Sequence, residues 1–178
     1  LRDEITAGKK VGPRILAANE GISVPHGHMA GSVAVAAKNN EEALFHLAEC
    51  EKEKVDLVKL MITGGVLDAK EKGVPGELKM PPEMVKAVCD KAHEAGYTVA
   101  AHVESPEGVK VALENGVDSV EHGAKPDDEI IRLFKERGAF LCTTISPALP
   151  YALFDRSVSN ASEVERFNGN VVFEGIID

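Results

Sequence analysis

The sequence predicts an α/β fold, a parallel sheet with helices outside it, on three observations. From about residue 40 onward short β-branched runs alternate with helical patterns, glycine marks most of the returns, and the two longest loops follow strands on their C-terminal side. The arrangement is either a doubly wound sheet or part of a (β/α)8 barrel. No Gly-x-Gly-x-x-Gly or Walker sequence follows any strand, which counts against the nucleotide-binding form of the open sheet.

Taken in order, LRDEITAGKK opens as though inside a helix, and RILAAN at 14–19 reads as the first strand. NEEALFHLAECEKEK is a helix ahead of the strand VDLVKLMIT at 55–63. PPEMVKAVCDKAHEAG places Val85, Val88, Cys89 and Ala92 on one helical face and stops at Gly96. YTVAAHV at 97–103 is the next strand. In SPEGVKVALENG, Ser105 caps the helix, Pro106 suits its first position and Gly116 ends it. VDSVEHG at 117–123 is a strand, and DDEIIRLFKERG is a helix from the Asp127 cap to Gly138. AFLCTTIS at 139–146 is the last strand, followed by a long loop and by NVVFEGIID, which reads as helix.

With 178 residues, 44% of them apolar and 28% charged, the chain is expected to form one domain over 1–178. A formal net charge of -9, with no basic stripe, argues against nucleic acid and anionic lipid as partners. Cys50, Cys89 and Cys142 are far apart and each lies in a predicted element, so they read as reduced core residues. No apolar run reaches membrane-spanning length and the N-terminus lacks a signal-peptide segment, so a cytoplasmic protein is expected.

Candidate chemistry collects at strand ends. Lys59 sits in an otherwise apolar strand, where an ammonium must shift its pKa, find a partner or react. His102 and His122 end the next two strands, so three consecutive strands bring a nitrogen-bearing side chain to one rim. Two imidazoles suit zinc, and a cationic lysine does not. A Lys59 carbamate formed with carbon dioxide would be anionic and able to bridge two metals. The plainer readings are a Lys59 ion pair with a buried carboxylate, a stem packed with its head at the rim, and hydrogen-bonded core imidazoles. Glu121 points to the face opposite His122 by strand alternation. His26 and His28 flank Gly27 in a loop, where substrate contact or solvent exposure is expected; His46 and His93 lie on polar helix faces and Tyr151 in the last loop.

VDLVKLMITGGV, YTVAAHVESPEGVKVALENGVDSVEHGA and AFLCTTIS, with RDEITAGKKVGPRILAANEGISV upstream, together resemble the metal-dependent amidohydrolases. The similarity is to the branch of imidazolonepropionase-like enzymes and Xaa-Pro or arginine-releasing carboxypeptidases. It implies a (β/α)8 barrel with one or two Zn2+ ions, bridged by a carboxylated lysine at Lys59 and held by His102 and His122. It also implies a substrate contact at His28 in VPHGHMAG, where His26-Gly27 departs from the usual Gly-Gly. The substrate would be a small molecule or peptide with a C-N amide, cyclic amide or peptide bond. The family's His-x-His on strand 1 and its aspartate on strand 8 have no convincing match, Asp178 included. The expectation is therefore a partial (β/α)8 TIM barrel, about strands 3 to 7 with their helices, inactive alone and lacking strands 1, 2 and 8. With its edges open it is expected to form a homo-oligomer, and a metal-free, self-associating barrel remnant is the alternative. A lyase using Lys59 as a Schiff base would leave both histidines unexplained.

Overall fold

The computed structural model describes residues 1–144 and 161–177. Six strands, β1 (Gly21–Ser23), β2 (Ala34–Ala36), β3 (Val58–Met61), β4 (Val99–Val103), β5 (Ser119–His122) and β6 (Phe140–Cys142), form one sheet in the order β2-β1-β3-β4-β5-β6. All five pairings are parallel. Helices are α1 (Arg2–Thr6), α2 (Asn40–Lys52), α3 (Pro82–Glu94), α4 (Pro106–Glu114), α5 (Asp128–Arg137) and α6 (Glu163–Ile177). From β3 to β6 each strand lies beside its predecessor in sequence with a helix between them, the repeating unit of a (β/α)8 barrel wall. The architecture is thus α/β, a partial barrel.

Alternation decides which side chains reach the helices. Val58, Leu60 and Ile62 from the β3 segment, Ala101 and Val103 from β4, and Val120 from β5 form one buried cluster. The helices contribute Leu47, Val85, Val88, Val109, Leu113 and Ile130 to it. The opposite face carries Lys59, Met61, Ala100 and His102, with Lys59 paired in register to Ala100 and Met61 to His102. Helix starts follow the local chemistry. The side chains of Asn39, Ser105 and Asp127 accept from the amides of Glu42 (2.9 Å), Gly108 (3.2 Å) and Ile130 (2.8 Å). Gly138 closes α5 in the left-handed conformation at φ 66°.

Two expectations are corrected, and an edge strand is added. Residues 14–19 are not a strand; the Ala17 amide bonds to the Asp56 carboxylate at 2.8 Å, and pairing begins only at Gly21. A small-residue strand, β2, lies at the sheet edge, where no β-branched run announced it. Cys50 and Cys89 are buried as expected, but Cys142 is exposed because it belongs to the opposite edge strand. Among the described residues no helix is long and apolar enough to cross a membrane. Tyr151 and Asp178 lie outside the described residues.

Candidate metal centre

The C-terminal ends of β3, β4 and β5, with the loop after β1, bring the predicted side chains together. The His28 and His102 rings stack with centroids 3.9 Å apart and planes 6° from parallel. His122 meets the His102 ring edge-on at 4.7 Å between centroids. Lys59 is part-buried on the same face, and its charge acts on both His102 and His122. Gly21 lies against the Lys59 stem: a Cβ there would meet Lys59 Cγ at an ordinary contact distance of 3.5 Å.

Strand alternation alone would turn His122 away, because its register partner is Val103, a helix-facing residue. The backbone breaks the pattern. His122 has φ 71°, in the left-handed region, and so its ring swings back toward His102. Glu121, in register with His102, acts electrostatically on both Lys59 and His122, so the expectation that it faces away from the site is corrected. Ser119 donates to Glu121 at 2.6 Å.

Burial sets the protonation states. It pushes His102 down to about 2, with His28 and His122 adding to the effect, and His122 down to about 4, with Lys59 adding. Both rings are therefore neutral near pH 7, the state a metal requires. The Gly64 carbonyl can only accept, so His102 donates from Nε2 at 3.0 Å and keeps a lone pair on Nδ1. His122 engages the Thr144 hydroxyl through Nδ1 at 2.6 Å, leaving Nε2. Lys59 is lowered chiefly by burial, against the raising influence of Glu121, and among the described residues it makes no ion pair.

Glu104 escaped the sequence reading. Ligand atoms of His102, Glu104 and His122 all lie within 4.8 Å of one another, a group able to hold a divalent metal ion. Burial raises the Glu104 carboxyl to about 7, although the Val66 amide donates to it at 2.7 Å. Its amide in turn donates to the Thr63 hydroxyl at 3.0 Å. The signal was present: Glu104 follows His102 by two, the period of one strand face. Beside Gly64 and Gly65 opens a cleft of about 370 Å³, bordered by Asp68, Glu71, Val74 and Lys79. Of the other histidines, His93 pairs with Asp118 at 2.8 Å and His26 is exposed at φ 62°.

A parallel barrel wall with imidazoles and a carboxylate gathered at its C-terminal rim is a scaffold able to hold a metal ion. The chain belongs to the amidohydrolase family, whose model matches residues 2–166. A crystal structure from Bifidobacterium longum, provisionally described as a prolidase, is 38% identical with a TM-score of 0.83; the match covers 99% of this chain and 43% of that one. An Xaa-Pro dipeptidase with methionine in its active site is 32% identical with a TM-score of 0.82, over 98% of this chain and 46% of that one. Ochratoxinase of Aspergillus niger is 31% identical over 90 residues, 51% of this chain and 18% of the enzyme. The chain thus spans less than half the length of these relatives.

Proposed function

We propose that this chain provides the central wall and a metal half-site of an amidohydrolase that cleaves a C-N amide, cyclic amide or peptide bond. The observation that carries the reading is the convergence of two neutral imidazoles, His102 buried and His122 part-buried, and a part-buried lysine at one strand rim. The donor set fits zinc: the hydrogen bonds leave Nδ1 of His102 and Nε2 of His122 uncommitted, and ligand atoms of His102, Glu104 and His122 lie within 4.8 Å of one another. Lys59, whose ammonium is disfavoured by burial against the opposing pull of Glu121, is the proposed carbamate bridge. A bound ion would supply Lewis acidity toward water and the substrate carbonyl. His28 contacts substrate from the stacked position on His102. The similarity to a prolidase-like structure and to an Xaa-Pro dipeptidase favours a dipeptide or related acyl-amine substrate.

The test is zinc titration of the purified chain, with anomalous scattering at the zinc edge and ¹³C NMR in labelled bicarbonate. Stoichiometric zinc is expected, with a carbamate signal lost in Lys59→Ala. His102→Ala and His122→Ala should each weaken zinc by more than the roughly 10–100-fold typical of losing an outer-shell partner. A metal-free chain indifferent to both substitutions would defeat the reading.

A further inference from the structure

Asp68 lies on the loop after β3, and one oxygen of its carboxylate does two things. Oδ2 meets Nδ1 of His28 and also accepts the Gly65 amide at 3.1 Å. A carboxylate can only accept, so His28 is the donor and its proton resides on Nδ1. The ring is held on its other sides as well. Its face stacks on His102, and its Cε1 edge abuts Gly65, where an added Cβ would lie 3.0 Å from His28 and 3.1 Å from His102. Ser23, buried beneath, donates to the His28 carbonyl at 3.0 Å. Nε2 of His28 has no hydrogen bond among the described residues.

We propose that Asp68 is a positioning residue: it fixes the His28 proton on Nδ1 and so leaves Nε2 as the nitrogen that meets substrate. A neutral imidazole otherwise divides its proton between two nitrogens, and the hydrogen bond at one decides the state of the other. When the ring is neutral, a proton held on Nδ1 leaves the lone pair on Nε2, which then accepts a hydrogen, such as the N–H of an amide. This rests on the reading of His28 as a substrate contact. The competing role for Asp68 is to close the loop turn, through its acceptance from Gly65 and its own amide bond to the Gly65 carbonyl at 2.9 Å.

Long-range ¹H–¹⁵N spectra of the metal-free chain, labelled at histidine and assigned by loss of the His28 signals in His28→Gln, separate the two roles. The native chain should show a protonated Nδ1 at His28. Asp68→Ala should move that proton to Nε2 and change zinc affinity by less than about twofold, since Asp68 is no ligand. A bare Nδ1 in the native chain overturns the proposal without recourse to any variant. An Asp68→Ala spectrum identical to the native one also overturns it, leaving the loop turn as the carboxylate's role. A chain that takes up no zinc but keeps the Asp68-dependent proton would defeat the hydrolytic assignment while upholding the Asp68–His28 pairing.

Discussion

His122 occupies the left-handed region at φ 71°, where a residue with a Cβ sits at a cost of order 1–3 kcal/mol. Glycine carries no such cost, so His122→Gly should melt no lower than His122→Ala and be the more stable by about 1 kcal/mol, although both lose the ring. Equal melting of the two variants in calorimetry would show that the backbone there is unstrained. The same residues set the acid behaviour of the metal-free chain. His102 and His122 have native values below their ordinary range, so as pH falls through 6.5 the unfolded chain takes up two protons that the native state refuses. Glu104, raised to about 7, opposes this by taking one proton in the native state first. Two against one leaves a net loss: stability should fall below pH 6.5 by at most about 1.4 kcal/mol per unit. Chemical denaturation between pH 7 and 5 checks the sign, and a chain that gains stability over that range would contradict it. Lys59, His102 and His28 were legible because strand period and loop position carry them to the rim. The left-handed turn that brings His122 inward was not, since period-two reasoning has no place for it.

At the scale of elements, α6 acts as a clasp on the loop after β3. Asn168, fully buried, accepts the Gly73 amide at 2.7 Å and donates to the Glu71 carbonyl at 2.9 Å, and Lys72 pairs with Glu163. That loop carries Asp68, Gly65 and the Val66 amide that meets Glu104. Asn168→Ala strands a donor and an acceptor at a buried contact and should loosen the loop by about 1–3 kcal/mol. Hydrogen exchange at the Gly73 amide reports this; exchange as slow as in the native chain would mean that other contacts hold the loop. At the cap of α4, Ser105→Ala should cost about 1 kcal/mol in the melt, and no loss would show the cap bond to be dispensable. Such caps, with the glycine stops, made the helices readable, because their chemistry is local. β1 and β2 were not readable for the opposite reason: GIS and AVA are three residues each, rich in small side chains, and hold their place through pairing that no local pattern records. RILAAN has the composition of a strand, yet its Ala17 amide is taken by Asp56 and its backbone stays outside the sheet.

For the whole molecule the open question is what meets the β6 edge. Within the described residues β6 pairs with β5 alone, and Phe140 and Leu141 are 74% and 46% exposed. An edge strand with apolar side chains is a template for further pairing, and either a longer chain or a second copy could satisfy it. We expect self-association of the isolated 178-residue chain. Burying Phe140 alone contributes up to about 2 kcal/mol per copy. The net charge of -9 works against contact between copies, so association should strengthen as salt screens the repulsion. Sedimentation velocity across a concentration series should therefore show oligomers that grow with ionic strength. Phe140→Lys, which places a charge on the edge and removes the ring, should weaken association by about tenfold or more. Zinc uptake should be unchanged in that variant, because β6 contributes none of the proposed ligands. A chain that stays monomeric at every concentration and salt level would mean that the edge is already protected, and the partner of β6 would then have to be sought within the chain itself.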